Sequence, residues 1–153
     1  MILNLRTRHV CALGLVLGLA ATGWPAARAA DDARQLVSMP EPARARLRDE
    51  MLGNLRALQD IFESLAKGNV REAGVVAERD LGVSAMGRNR AQPLEARPGA
   101  HMPAAMHELG LQGHQAATAF ARAAASGDRD RALVALPAVT GSCVACHHSY
   151  RVR

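Results

Sequence analysis

Apolar residues recur along this chain at steps of three and four, the period of a helix with one buried face. The first such run follows Pro40, Glu41 and Pro42. It puts Leu47, Met51, Leu55, Leu58, Phe62 and Leu65 on one stripe and ends near Lys67-Gly68. Asn69 is suited to cap a second helix with Val70, Gly74, Ala77 and Leu81 inward and Gly82 as its stop. Residues 83–100 hold Gly87, Pro93, Pro98 and Gly99 among polar residues without a period, which predicts a surface loop. A third helix is expected from Met102-Pro103 to Ser126-Gly127, with Met102, Met106, Leu109, Gly113, Ala116, Phe120 and Ala124 inward. So many small residues let a neighbour approach closely. Asp128 then caps a fourth helix, whose expected inner face is Leu133, Leu136, Thr140, Cys143 and His147, with Pro137 loosening its hydrogen bonding. Beyond residue 30 there is no alternating strand pattern and no internal repeat. Four amphipathic helices with two short connections and one longer one predict an all-α protein, an antiparallel four-helix bundle running up-down-up-down.

The first thirty residues follow a different pattern. Arg6, Arg8 and His9 precede an apolar run from Val10 to Ala21, and Ala27-Arg28-Ala29 supplies a small-x-small site. Residues 1–29 are therefore expected to be a cleaved export signal, and residues 30–153 one domain in the periplasm. The apolar run is shorter than the roughly 20 residues a spanning helix needs, so no membrane anchor is expected after cleavage. Cys11 follows Arg8-His9-Val10, unlike a lipoprotein site. Charge changes with the leader as well. Of 19 basic residues, Arg6, Arg8 and Arg28 leave, so 16 remain against 14 acidic ones and the net charge falls from +5 to +2. The remaining arginines alternate with acids along helices, which gives nucleic-acid binding no support.

Cleavage also removes Cys11, leaving only Cys143 and Cys146. A disulfide is the default fate of two cysteines in an oxidising compartment. The residue after Cys146 points elsewhere. In Cys143-Val144-Ala145-Cys146-His147, two thiols are spaced to add across haem vinyl groups while the next residue presents an imidazole to the iron. On a helix, positions i, i+3 and i+4 share one face, so the three side chains project together. Thioredoxin-like chemistry comes with a βαβ pattern, which is absent, and zinc needs two further ligands at a suitable spacing. Aromatic content is only 3%, leaving Phe62, Phe120 and Tyr150 beyond the leader. A buried porphyrin would supply the missing large flat group. One covalent haem c is the cofactor this motif predicts.

Cys143-Val144-Ala145-Cys146-His147-His148-Ser149-Tyr150-Arg151, at the end of a four-helix chain, resembles the class II c-type cytochromes: cytochrome c-prime and its low-spin relatives. The resemblance spans residues 30–153 in architecture, and its specific part is the terminal motif. It implies a haem at one end of the bundle, His147 proximal, and Tyr150 and Arg151 packed beside the ring. Met51-Leu52-Gly53-Asn54 is similar to the segment of low-spin members that supplies a methionine as sixth ligand.

An up-down-up-down bundle sets the end of the fourth helix level with the start of the first and third and the end of the second. His147 then faces Met51, Leu81, Met102 and Met106, with His101 or His107 nearby. Met51 is the favoured sixth ligand, and Met106 and His107 stay open as alternatives. His114, about 13 residues into its helix and so roughly 20 Å along, is expected to lie out of reach, and His148 to be solvated. Arg48 and Arg44 are candidates to pair with a propionate.

The function expected is that of an electron carrier with both axial positions filled, working with periplasmic redox proteins. A five-coordinate binder or sensor of small diatomic gases is the alternative. No enzymatic activity is expected, because the distal side offers no evident acid-base pair. An exposed face of the first two helices would allow a second copy to pair.

Overall fold

Pro40 and Pro42 sit where a helix begins, and their missing amide hydrogens cost nothing there because the first turn has no helical acceptors. In the computed structural model, which describes residues 32–153, helix α1 runs Glu41–Ala66 from this start and ends at Lys67 and Gly68, the latter at φ +79°. The expected signal, residues 1–29, lies outside the described residues. Helix α2, Val70–Val76, is entered through Asn69, whose backbone carbonyl accepts from Ala73 while its side chain makes no capping bond. Five further residues, Ala77–Leu81, continue it as a wider π turn up to Gly82. A Cβ on Gly82 would stand 2.7 Å from the Glu78 backbone carbonyl oxygen, so a larger residue would force this end to shift.

Helix α3 spans Ala104–Ala124 and helix α4 Arg129–Ser149. Gly127 turns between them at φ +80°, and Asp128 Oδ1 accepts from the Arg131 amide at 3.1 Å, the expected cap. Helix α4 continues through Pro137, whose missing N–H leaves the Leu133 carbonyl without its helical partner. Consecutive helices pack on one another: α1 on α2, α2 on α3 and, most extensively, α3 on α4. The small face of α3 does admit a close neighbour. A Cβ on Gly74 of α2 would meet Ala124 Cβ at 2.9 Å and the Ala121 carbonyl at 3.1 Å.

Three features differ from the sequence reading. Residues 83–100 are not one irregular loop but carry three 3-10 turns, Val83–Ala85, Leu94–Ala96 and Pro98–His101, with Ala85, Ala96 and Pro98 buried. Two three-residue strands also form: β1, Gln35–Val37, pairs in parallel with β2, Tyr150–Val152, in the register Gln35 to Tyr150, Leu36 to Arg151 and Val37 to Val152. Three residues are too few to alternate, and the partners lie more than a hundred positions apart, so no local pattern signals them.

The third difference is in the buried faces. On α1 the covered line is Ala43, Leu47, Ala57, Ile61 and Leu65, while Leu55 and Phe62 of the expected stripe are exposed. On α4 the buried residues are Ala132 and Val139, and Leu133, Cys143 and His147 are exposed. Small side chains explain the rotation. A Cβ on Gly113 of α3 would stand 2.8 Å from Ser142 Oγ, so the missing side chain leaves room for the Ala132, Val139, Ser142 side of α4 to pack inward in place of the leucine side.

Most of the buried apolar residues fall into two clusters. One joins Ala57, Ile61, Leu65, Val70, Phe120, Ala132 and Val139 with the small residues around them. The other, at the β1–β2 end, is Val37, Met39, Ala43, Leu47 and Met106, with Met102, Cys146, Tyr150 and Val152 packed on it. Between Leu47 and Ala57 on α1, about 15 Å of helix, no residue is fully buried. The same holds between Met106 and Ala117 on α3 and beyond Val139 on α4.

Candidate functional site

The last two turns of α4 carry Cys143, Cys146 and His147, and both cysteines are free thiols. They differ in surroundings. Cys143 is exposed, its sulfur 3.6 Å from the Val139 carbonyl. Cys146 is half-buried against the cluster of Leu47 and Met106. Burial, and secondarily the neighbouring Cys143, push its thiol above the ordinary range. His147 is exposed, and its carbonyl accepts from Arg34 Nη1 at 3.4 Å. Tyr150 packs on the cluster that holds Cys146. Arg151 is engaged elsewhere: its Nε donates to the Arg34 carbonyl at 3.2 Å and lies 3.6 Å from Asp32.

The candidates for the opposite side of an iron separate by burial. Met51 is 37% exposed on α1, beside the exposed Leu52 and Leu55, whereas Met106 is 5% exposed and packed into the core. His107 is exposed alongside Gly99, and His148 is exposed. His101 is half-buried, and its Nε2 has no partner among the described residues. Arg44 pairs with Glu41 but leaves a buried Nε unpartnered, and Arg48 is exposed and in none of the described ion pairs.

His114 is half-buried on α3. Its helix neighbour Gly113 lies against Ser142, the residue before Cys143, so His114 is near the level of the first thiol, more than a turn of α4 short of His147. The Nδ1 of His114 is held by the Leu81 carbonyl at 2.7 Å and the Gly82 carbonyl at 3.1 Å.

Sequence reading also missed a polar group around Glu50. This half-buried carboxylate, one residue before Met51, accepts from Asn89 and feels the charges of Arg88 and His114. Burial outweighs them and raises its pKa. The signal was present in the steps 43, 47, 50, 54, 57 and 61, which also trace a helical face, but two of those positions are polar.

A flat apolar group fits the residues present. Helix α4 is long and apolar enough by length and composition to cross a membrane, yet only 11% of that span is buried. The uncovered stretch between the clusters contains the Cys143 thiol, with Cys146 at its edge on the second cluster, and in it Gly53, Gly110 and Gly141 have nothing within 4 Å of where a Cβ would be. Among the described residues no group of three His, Cys, Asp or Glu side chains is placed to hold a metal ion; Cys143, Cys146 and His147 stand at i, i+3 and i+4 along α4. A separate shallow groove between α2 and α3, lined by Arg71, Val75, Glu78, Thr118 and Arg122, includes none of these residues.

No family model, no curated protein and no solved structure matches this chain.

Proposed function

We propose that this chain is an exported class II c-type cytochrome that carries electrons in the periplasm. Cys143 and Cys146 hold one haem covalently, His147 is its proximal ligand and Met51 its sixth. The observation that carries this reading is that a C-x-x-C-H motif ends the apolar helix that its neighbours leave largely uncovered, beside a break in the core. When bound, the haem supplies a one-electron iron couple.

The chain's residues hold and tune that couple. Two thioether links fix the ring to α4, so the His147 imidazole need only turn from the adjacent position. Met51 can turn toward the iron without opening the core, whereas Met106 would have to leave its packing. Arg44 Nε and His101 Nε2, both buried and without partners among the described residues, are groups that a propionate would satisfy, and the exposed Arg48 is a further candidate. We take the helices to run up-down-up-down, which is supported by Gly113 facing Ser142 while Ala124 and Ala132 share the core near the Gly127 turn.

The ferric protein should be low-spin with a sulfur-to-iron charge-transfer band, and Met51→Leu should remove that band while Met106→Leu retains it. The Met51→Leu protein should also gain carbon monoxide affinity and fall in potential. A high-spin, five-coordinate unmodified protein would favour the gas-binding alternative.

A further inference from the structure

His147 stands in the part of a helix least able to hold a ligand still. The final turn of any helix has four carbonyls without helical partners, and helix ends open locally at little free-energy cost. This end is tied down from outside. At Tyr150 the backbone turns extended, φ −128° and ψ 149°, and enters β2, which pairs with β1. Beta strand β1 is itself anchored, with Val37 and, just beyond it, Met39 buried in the cluster that receives Cys146 and Tyr150.

Arg34, the residue before β1, reaches the ligand residue directly. Asp32 grips its guanidinium in a fork, Oδ1 accepting from Nε at 2.9 Å and Oδ2 from Nη2 at 2.7 Å. That grip leaves Nη1 to donate to the His147 carbonyl. A cation at a helix C-terminus is favourable as well. Arg151 closes the arrangement from the other strand through the Arg34 carbonyl and Asp32.

We propose that residues 32–37 are a positioning clasp for His147: Arg34, oriented by Asp32, and the β1–β2 pairing hold the last turn of α4 so that the imidazole keeps its bond to the haem iron. The proposal rests on the haem reading above and adds to it a segment that precedes the first helix.

The test uses the holoprotein and four variants: Arg34→Ala, Arg34→Lys, Leu36→Pro and, as a control remote from the clasp, Ile61→Val. Leu36 is exposed, so proline there breaks the strand without emptying the core. Two readouts apply: the pH at which acid releases the proximal histidine, followed by absorption, and hydrogen exchange of the amides of residues 147–152. Leu36→Pro should raise the release midpoint by about one pH unit, a ten-fold weaker hold, and speed those amides at least about ten-fold. Arg34→Ala should move both the same way by less, with Arg34→Lys recovering part of the effect. Ile61→Val should lower the melting temperature and leave the midpoint in place. Should Leu36→Pro not fold, Arg34→Ala against Arg34→Lys decides. Covalent haem present with an unmoved midpoint and unchanged exchange overturns the clasp alone, whereas an unmodified protein without covalent haem overturns the parent reading before any variant is made.

Discussion

Two residues at the site have ionisation set by burial, and each gives a prediction with a definite sign. Burial keeps the Cys146 thiol protonated to higher pH than usual, while Cys143 is exposed. Since the thiolate is the reacting species, apoprotein treated with iodoacetamide near pH 8 should be alkylated several-fold faster at Cys143. Equal rates, by peptide mass mapping, would contradict the half-buried placement. Glu50 is the second case, its pKa raised chiefly by burial. A folded pKa above the unfolded one means that Glu50 favours the fold fully below the ordinary carboxylate value and loses that contribution as pH rises through its folded pKa. Glu50→Gln keeps an acceptor for Asn89 and removes the buried charge. It should raise the melting temperature by a few degrees at pH 7 and leave it nearly unchanged at pH 4. A gain of equal size at both pH values would place the effect outside ionisation.

Single contacts also decide where the elements begin, end and meet. Asp128 caps α4 through the Arg131 amide, so Asp128→Ala should cost about 1 kcal/mol in denaturant unfolding. Gly74→Ala should cost about 1–3 kcal/mol, because its methyl would press on Ala124 and the Ala121 carbonyl where α2 meets α3. A neutral result at either position would mean that the contact yields. Both features are readable in the sequence: Asp before a periodic run, and glycine among alanines. The four helices could be read for the same reason, since 3.6-residue periodicity and Gly or Pro punctuation are local. Rotation of the helices about their axes was not, because it depends on which small residues interlock. The missing side chain at Gly113, opposite Ser142, leaves room for α4 to bring Val139, and not Leu133, into the core. The β1–β2 pair was hidden as well, as its partners are distant and its strands short.

At the scale of the molecule, two packed clusters flank a stretch where α1, α3 and α4 bury nothing fully and where Met51, Leu52, Leu55 and Val144 lie exposed. The chemistry of this region was open to sequence reading because C-x-x-C-H is contiguous on one helix. Its surroundings were less so: the level of His114, the Glu50 group and the Arg34 contact depend on how separate elements meet. A flat apolar group in this stretch would join the clusters into one core. Replacing Cys143 and Cys146 together by serine should therefore abolish covalent haem and also lower the melting temperature, whereas loss of stain without loss of stability would mean that the ring packs on the outside. The most direct measurement is the intact mass of the protein recovered from the periplasm. A chain starting at Ala30 with the added mass of one haem that survives denaturation is expected. A bare polypeptide, or one lighter by two hydrogens with Cys143 and Cys146 joined as a disulfide, would contradict it.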